Sequence, residues 1–357
     1  MSILLNAYLR IRPAILPGLC LALMVLVIDL AGGRSTDQTL SRVLCLMIVV
    51  VGTYVFVGNS GIVSFGQVAF MAIGAYVTAI LTMRPNVKKN FLPDLPDALL
   101  QMQLDPWLAT VIALFVVAAV ALFVALPLMR LSGLAAGIST LALLAVVYET
   151  ISNASGYTGG QQTLLGVPKA PENPVLLLVA LVALVAAAWF QTSRYGLMLR
   201  ASRDEPNAAA SLGVRTKTYR IYAFVLSAAI VGVGGAFYAQ ALRTVSIASF
   251  YIDMTAMTLA MLVVGGMRSL AGAVAGVVVI SLALDLVRRL EQGNLVSGVT
   301  LPAGSTEVLV GMAMLAMLLL YPAGLTRGRE FLPGSLWPKG RARDIETHRE
   351  AAKNDAV

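Results

Sequence analysis

The sequence predicts an all-α fold: a polytopic membrane helix bundle of about ten transmembrane helices with both termini cytoplasmic. Three observations carry this expectation. The 357 residues are 58% hydrophobic and only 12% charged, against roughly 25% charged residues in a soluble domain. Apolar runs long enough to span a bilayer recur along most of the chain, and backbone groups in hydrocarbon must be satisfied within a helix. The net charge of +8 gathers in the segments that alternating spans place on one side, which orients the bundle.

The spans fall near 14–32, 41–58, 62–82, 107–129, 134–152, 175–192, 220–241, 251–267, 270–287 and 305–321. The first follows Arg10 and Arg12 as a signal peptide would, but no Ala-x-Ala-like cleavage site precedes the next span, so it reads as a retained helix. In the third span, Gly66, Gly74 and Ala75 are small enough to let helices approach closely. Gln67 differs, because an amide in hydrocarbon needs a partner, either across helices or in a polar path. The loop at 83–106 holds Pro85, Pro93, Pro96 and Pro106 among mixed charges and reads as a solvated connector. The loop at 153–174 opens with a neutral stretch, Asn153 to Thr163, rich in hydrogen-bonding side chains.

Between the sixth and seventh spans lies a polar island, 194–220. Asp204 suits an N-cap there, Glu205 and Pro206 a first helical turn, and Ala208, Ala209, Ala210 and Leu212 a short helix stopped at Gly213. A basic cytoplasmic loop that only orients the protein is the alternative to a docking surface. The eighth and ninth spans are separated by the glycine-rich run Gly265 to Gly272, a hairpin or a broken helix lining a cavity. Gly272 with Gly276, and Gly232 with Gly234 and Gly235, form packing faces. Residues 1–326 make the membrane domain, and the polar tail at 327–357 reads as a mobile extension.

Several chemistries are excluded. The only cysteines, Cys20 and Cys45, sit in apolar runs, and the one histidine, His348, lies in the tail. Neither a thiolate or histidine metal cluster nor a Ser-His-Asp triad can be assembled from these residues. No Gly-x-x-x-x-Gly-Lys-Ser/Thr run occurs, so ATP phosphates are not cradled by that device. The basic residues are not clustered with aromatics as a nucleic-acid footprint requires. Of the acids in or beside the spans, Asp29, Glu149, Asp285 and Glu307, all fall toward outer ends where water reaches them, and Glu149 is the one most open to a functional role.

Five stretches, in order, resemble the larger permease subunit of bacterial branched-chain amino-acid ABC transporters. They are Gly61 to Phe70 continuing to Gly74-Ala-Tyr76; Arg130 to Ala142; Thr158-Gly-Gly160; Arg203 to Gly213; and Val264 to Gly272. The closing Tyr321 to Leu325 fits as well, and the similarity runs from about Leu44 to Arg329. The resemblance implies a permease of a binding-protein-dependent importer, which is not an enzyme and carries no cofactor. ATP and Mg would be bound by cytoplasmic ATPase subunits. The implied partners are those ATPases, a second permease and a periplasmic substrate-binding protein, all at the bacterial inner membrane.

The island would then be the coupling loop, with Arg203, Asp204, Glu205, Asn207, Ala208, Ala209 and Gly213 on it. Asn207 stands where the family's Glu-Ala-Ala signature suggests an acid. Gln67, Thr140, Thr158, Gly159 and Gln162 are the candidates for lining or gating the solute path. Gln161-Gln162-Thr163 and Leu144-Ala145-Val146 depart from the family pattern on that side, and related permeases carry urea, amides and other small polar solutes. A self-contained ion-coupled transporter is a rival reading, as is an intramembrane enzyme or channel.

Overall fold

In the computed structural model, the structure describes residues 13–23, 25, 34–169, 172–291, 311–312 and 324–326. The expected span near 305–321, most of the second half of the span near 14–32, and the tail at 327–357 lie outside the described residues.

The described chain is helical apart from short connectors. A short apolar helix α1 (Pro13–Leu23) is followed by α2 (Arg34–Ser60), α3 (Gln67–Thr82), the small helices α4 (Pro85–Phe91) and α5 (Asp97–Gln101), α6 (Pro106–Leu128), α7 (Gly133–Asn153) and the single turn α8 (Ser155–Thr158). Then come α9 (Asn173–Thr192), α10 (Arg194–Asp204), α11 (Pro206–Ser211), α12 (Thr216–Leu242), α13 (Ile252–Gly265) and α14 (Leu270–Glu291). Two two-residue strands, β1 (Leu164–Leu165) and β2 (Thr244–Val245), pair antiparallel. They clasp two connectors at one end of an otherwise all-α bundle.

Six helical stretches are long and apolar enough to cross a membrane: Asp37–Ser60, Pro106–Leu128, Gly133–Asn153, Asn173–Thr192, Thr216–Leu242 and Ile247–Gly265. Three further apolar helices, Pro13–Leu23, Gln67–Thr82 and Leu270–Asp285, are shorter. The third expected span is shorter because Gly61 to Gly66 is not helical. This connector turns back against α7, where the Phe65 N–H donates to Thr140 Oγ1 at 3.1 Å.

The helices differ in how centrally they sit. In α2, 83% of the most apolar window is buried, against 22% in α6. Phe224 of α12 meets Phe56 of α2 and Phe70 of α3 edge-on, at ring-centroid distances of 5.2 and 5.4 Å, a favourable aromatic geometry. The Ser227 hydroxyl donates across to the Gly52 carbonyl at 2.7 Å. α6 buries a stripe of Ala109, Ala113, Val117, Ala121 and Ala125, one residue per helical turn. Its other face presents Phe115 and Phe123 outward, as a lipid-facing helix does.

Glycine permits the two closest crossings. A Cβ on Gly74 would fall 2.1 Å from the Gly232 carbonyl oxygen, and one on Gly276 would fall 1.8 Å from that of Met261. The first joins α3 to α12 and the second joins α14 to α13. The run from Gly265 to Gly272 is therefore the tight turn of an α13–α14 hairpin. It is held by Leu325 N–H donating to Val264 O and Thr326 N–H to Gly265 O, and by a 2.6 Å hydrogen bond between the Ser269 and Thr326 hydroxyls.

The loop at 83–106 differs from the solvated connector expected. It folds into α4 and α5 around a fully buried Lys88. The Lys88 ammonium donates to the Leu99 carbonyl at 3.0 Å and also to that of Met102, covering the carbonyls at the end of α5, where a cation is favoured. Burial lowers the Lys88 pKa from its ordinary value.

Candidate functional site

The polar island is two helices rather than one. Pro206 disfavours helical backbone at the residue before it, and Glu205 sits at φ −145° and ψ 89°. The break falls there, so Asp204 ends α10 instead of capping α11, and Glu205 precedes α11 without a side-chain cap. α10 has its own N-cap, Ser193, whose hydroxyl accepts from the Gly196 N–H at 3.2 Å. The expected stop holds: Gly213 adopts φ +80° with open space around its Cβ position, so its left-handed backbone is what calls for glycine.

α10 is fastened to the most buried helix. Arg200 Nε donates to Asn59 Oδ1 at 2.8 Å and Arg200 Nη2 to the Tyr54 hydroxyl at 3.1 Å. Tyr54 in turn donates to Gln191 Oε1 at 3.0 Å, so one chain of hydrogen bonds joins α10, α2 and α9. Arg203 Nη1 donates to the Gly58 carbonyl at 2.6 Å. Both guanidiniums sit at the C-terminal end of α2, where its dipole and unpaired carbonyls favour cations. Tyr54, Asn59 and Gln191 are buried, so these bonds are shielded from competing water.

α11 is the opposite kind of element. Ala208 and Ala210 are exposed, and Leu212 just beyond it is 84% exposed. Among the island residues expected to face a partner, Ala208, Asp204 and Glu205 are exposed, whereas Ala209 is buried and Arg203 is turned onto α2. Arg203 also pairs with Asp204 at 3.0 Å, a surface contact of small worth. Asn207 lies within α11.

The expected path residues fall into two groups. Thr140 packs on the α2–α3 connector, where Gly66 lies against its carbonyl, and Gln67 starts α3 directly after that connector. Gln67 is 2% exposed, and neither end of its amide has a hydrogen-bond partner among the described residues. Ser64 Oγ and Thr78 Oγ1 share that state. Such groups are costly in an apolar interior; Ser64 lies in the connector, and Gln67 and Thr78 lie about three turns apart on α3. Thr158 and Gly159 lie about 20 Å further along α7 and fold a corner. Thr158 Oγ1 donates to the Ile151 and Ala154 carbonyls at 2.6 and 2.8 Å, and Gly159 takes φ +76°. Gln162 is exposed beside them. Glu149 is exposed as well, and its Oε2 accepts from Asn153 at 3.1 Å.

Sequence reasoning missed Arg200, Tyr54, Asn59 and Gln191. The signal was present: each is polar and in or beside an apolar helix, the argument that singled out Gln67. Among the described residues no group of three or more histidine, cysteine or acidic residues could hold a metal ion.

Long apolar helices, six of them long enough to cross a membrane, with a charged helix fastened to one end of the bundle, define a multi-pass membrane protein. Residues 35–319 match the family described as the branched-chain amino acid transport system / permease component. The chain belongs to this family of transport permeases, and so is not an enzyme of the excluded kinds. It is 26% identical over 327 residues to the high-affinity branched-chain amino acid transport system permease protein LivM of Escherichia coli, covering 82% of this chain and 70% of that one. It is 28% identical over 157 residues to the probable branched-chain amino acid transport permease protein LivH of Methanocaldococcus jannaschii, covering 43% and 45%. A shorter match, 42% over 65 residues, or 18% and 20% of the two chains, is to the nucleoside ABC transporter permease protein NupC of Lactococcus lactis. No solved structure matches.

Proposed function

We propose that this chain is the transmembrane permease subunit of a binding-protein-dependent ABC importer that moves branched-chain or related small amino acids inward by ATP-driven alternating access. In this reading residues 1–326 form the permease domain, ten helices cross the bacterial inner membrane, and both termini and the island face the cytoplasm. Two ATPase subunits bind ATP and Mg and press on α11. A second permease completes the pathway, and a periplasmic binding protein delivers the solute at the other end.

The observation that carries the proposal is the contrast within the island. α11 presents small side chains and Leu212 outward, while α10 behind it is bonded to the core helix α2. A push on the tip has a stiff route to the bundle, as a two-state permease driven by another subunit requires. The names of the LivM and LivH relatives support the amino-acid reading.

A second reading is favoured by the nucleoside permease match: the same machine carrying another small polar solute, such as urea, an amide or a nucleoside. Vesicles containing all subunits, tested for ATP-dependent uptake of each solute class, separate the two. Uptake by this chain alone, driven by an ion gradient and insensitive to ATP, would instead establish a secondary transporter. Absence of any ATPase subunit from the gently solubilised complex would also contradict the importer reading.

A further inference from the structure

At the end of the bundle opposite the island, α2, α13 and α14 enclose a cleft of about 20 Å³ that is open on one side. Its polar lining is Thr39, Arg42, Ser281 and Asp285. The location follows from helix rise: Arg42 is about 27 Å along α2 from Ser60, and Asp285 is about 22 Å along α14 from the hairpin turn. The nearby Ser41 hydroxyl donates to Asn173 Oδ1 at the start of α9, at 2.6 Å.

Arg42 is half-buried in a membrane-length helix. Its Nε is fully covered and has no hydrogen-bond partner among the described residues. Ser281 is 8% exposed, and its hydroxyl is likewise buried without a partner among the described residues. A guanidinium and a hydroxyl held in this way offer donors to an anion, and the planar fork of arginine suits a carboxylate. Asp285, which has a partner of its own within the protein, lines the same cleft with its carboxylate. Leu46, Met257 and Leu284 supply the apolar wall. A cation, a carboxylate and an aliphatic wall around one opening match the three parts of an aliphatic α-amino acid.

We propose that this cleft receives the carboxylate and ammonium of an aliphatic α-amino acid on the side where solute is delivered, Arg42 and Ser281 taking the carboxylate and Asp285 the ammonium. The inference rests on the amino-acid reading above. In the conformation described, the space of about 20 Å³ is the size of one or two waters, so the cleft must widen to take the headgroup, with the side chain toward the open side against Leu46 and Met257. Of the acids near the outer ends, the cleft singles out Asp285 rather than the exposed Glu149.

The test is binding of radiolabelled L-leucine to the assembled importer in nanodiscs without its binding protein, alongside ATP-driven leucine uptake in vesicles. Leucine should compete at least roughly tenfold better than 4-methylpentanoate, which lacks the ammonium, or leucinamide, which lacks the carboxylate. Arg42→Gln and Asp285→Asn should each weaken binding by roughly tenfold, with Arg42→Lys retaining part of the affinity. Ser281→Ala, a mild change that keeps the cleft assembled if the charge variants fail to fold, should weaken it by roughly threefold. If the wild type imports leucine yet binds none, or Ser281→Ala and the folded charge variants bind as the wild type does, the cleft is not the site. If the wild type imports no amino acid at all, the amino-acid reading fails and the inference falls with it.

Discussion

The two helices of the island, α10 and α11, are joined at Glu205 yet are held in opposite ways. α10 is bonded through Arg200 and Arg203 to Tyr54, Asn59 and the last carbonyls of α2. α11 is six residues long, too short to be stable alone, and leaves Ala208, Ala210 and Leu212 exposed. A lever needs both properties, a tip that a partner can grip and an arm that does not yield. The proline that sequence reasoning placed in a first turn is what separates the two.

The largest expected effect comes from the tip. Ala208→Trp should abolish ATP-driven uptake by blocking the partner's approach, while thermal stability and membrane insertion of the permease stay unchanged because the site is exposed. Ala209→Trp is the contrasting variant: Ala209 is buried, so overpacking should cost stability, by about 1–3 kcal/mol. Equal behaviour of the two variants would remove the distinction between docking face and packing face.

The arm comes next. Arg200→Ala removes charge-assisted bonds to two buried partners and should cost about 1.5–3 kcal/mol, read as a lower melting temperature together with reduced uptake. Gly213→Val forces a β-branched residue to φ +80° and should cost about 1–2 kcal/mol of local strain. Its effect should be confined to complex assembly, measured by co-purification of the ATPase. Tyr54→Phe is the mildest. It interrupts the link from Arg200 to Gln191 for about 1 kcal/mol, and a fall in transport well beyond what that stability loss explains would show that the link carries motion rather than only holding the fold.

Much of this architecture was legible in the chain. Apolar length gave the major helices, and the glycine spacing at Gly74, Gly232 and Gly272 announced the close crossings. Three features were not legible, each for a physical reason. The third span was expected to start near 62, whereas α3 starts at Gln67, because Gly61 to Gly66 is nearly as apolar as the helix it precedes and composition does not reveal a backbone turned aside to bond Thr140. The fold of 83–106 was hidden because a lysine reads as a solvated charge, whereas Lys88 caps carbonyls from within. Of the island, the tip and Gly213 were readable locally. The clamp on α2 was not, because Arg200 and Tyr54 are brought together only by the tertiary fold.

The most direct test of the lever is the number of ATP molecules hydrolysed per solute imported, measured in vesicles containing the whole importer with Arg200→Lys in place of the wild type. Lysine keeps the charge but cannot reach Asn59 and Tyr54 together as the guanidinium fork does. If α10 transmits the stroke, hydrolysis continues while import falls, and the ratio rises by roughly tenfold, the equivalent of about 1.4 kcal/mol of lost coupling. A ratio that stays at the wild-type value, with hydrolysis and import falling together or neither changing, would contradict the account.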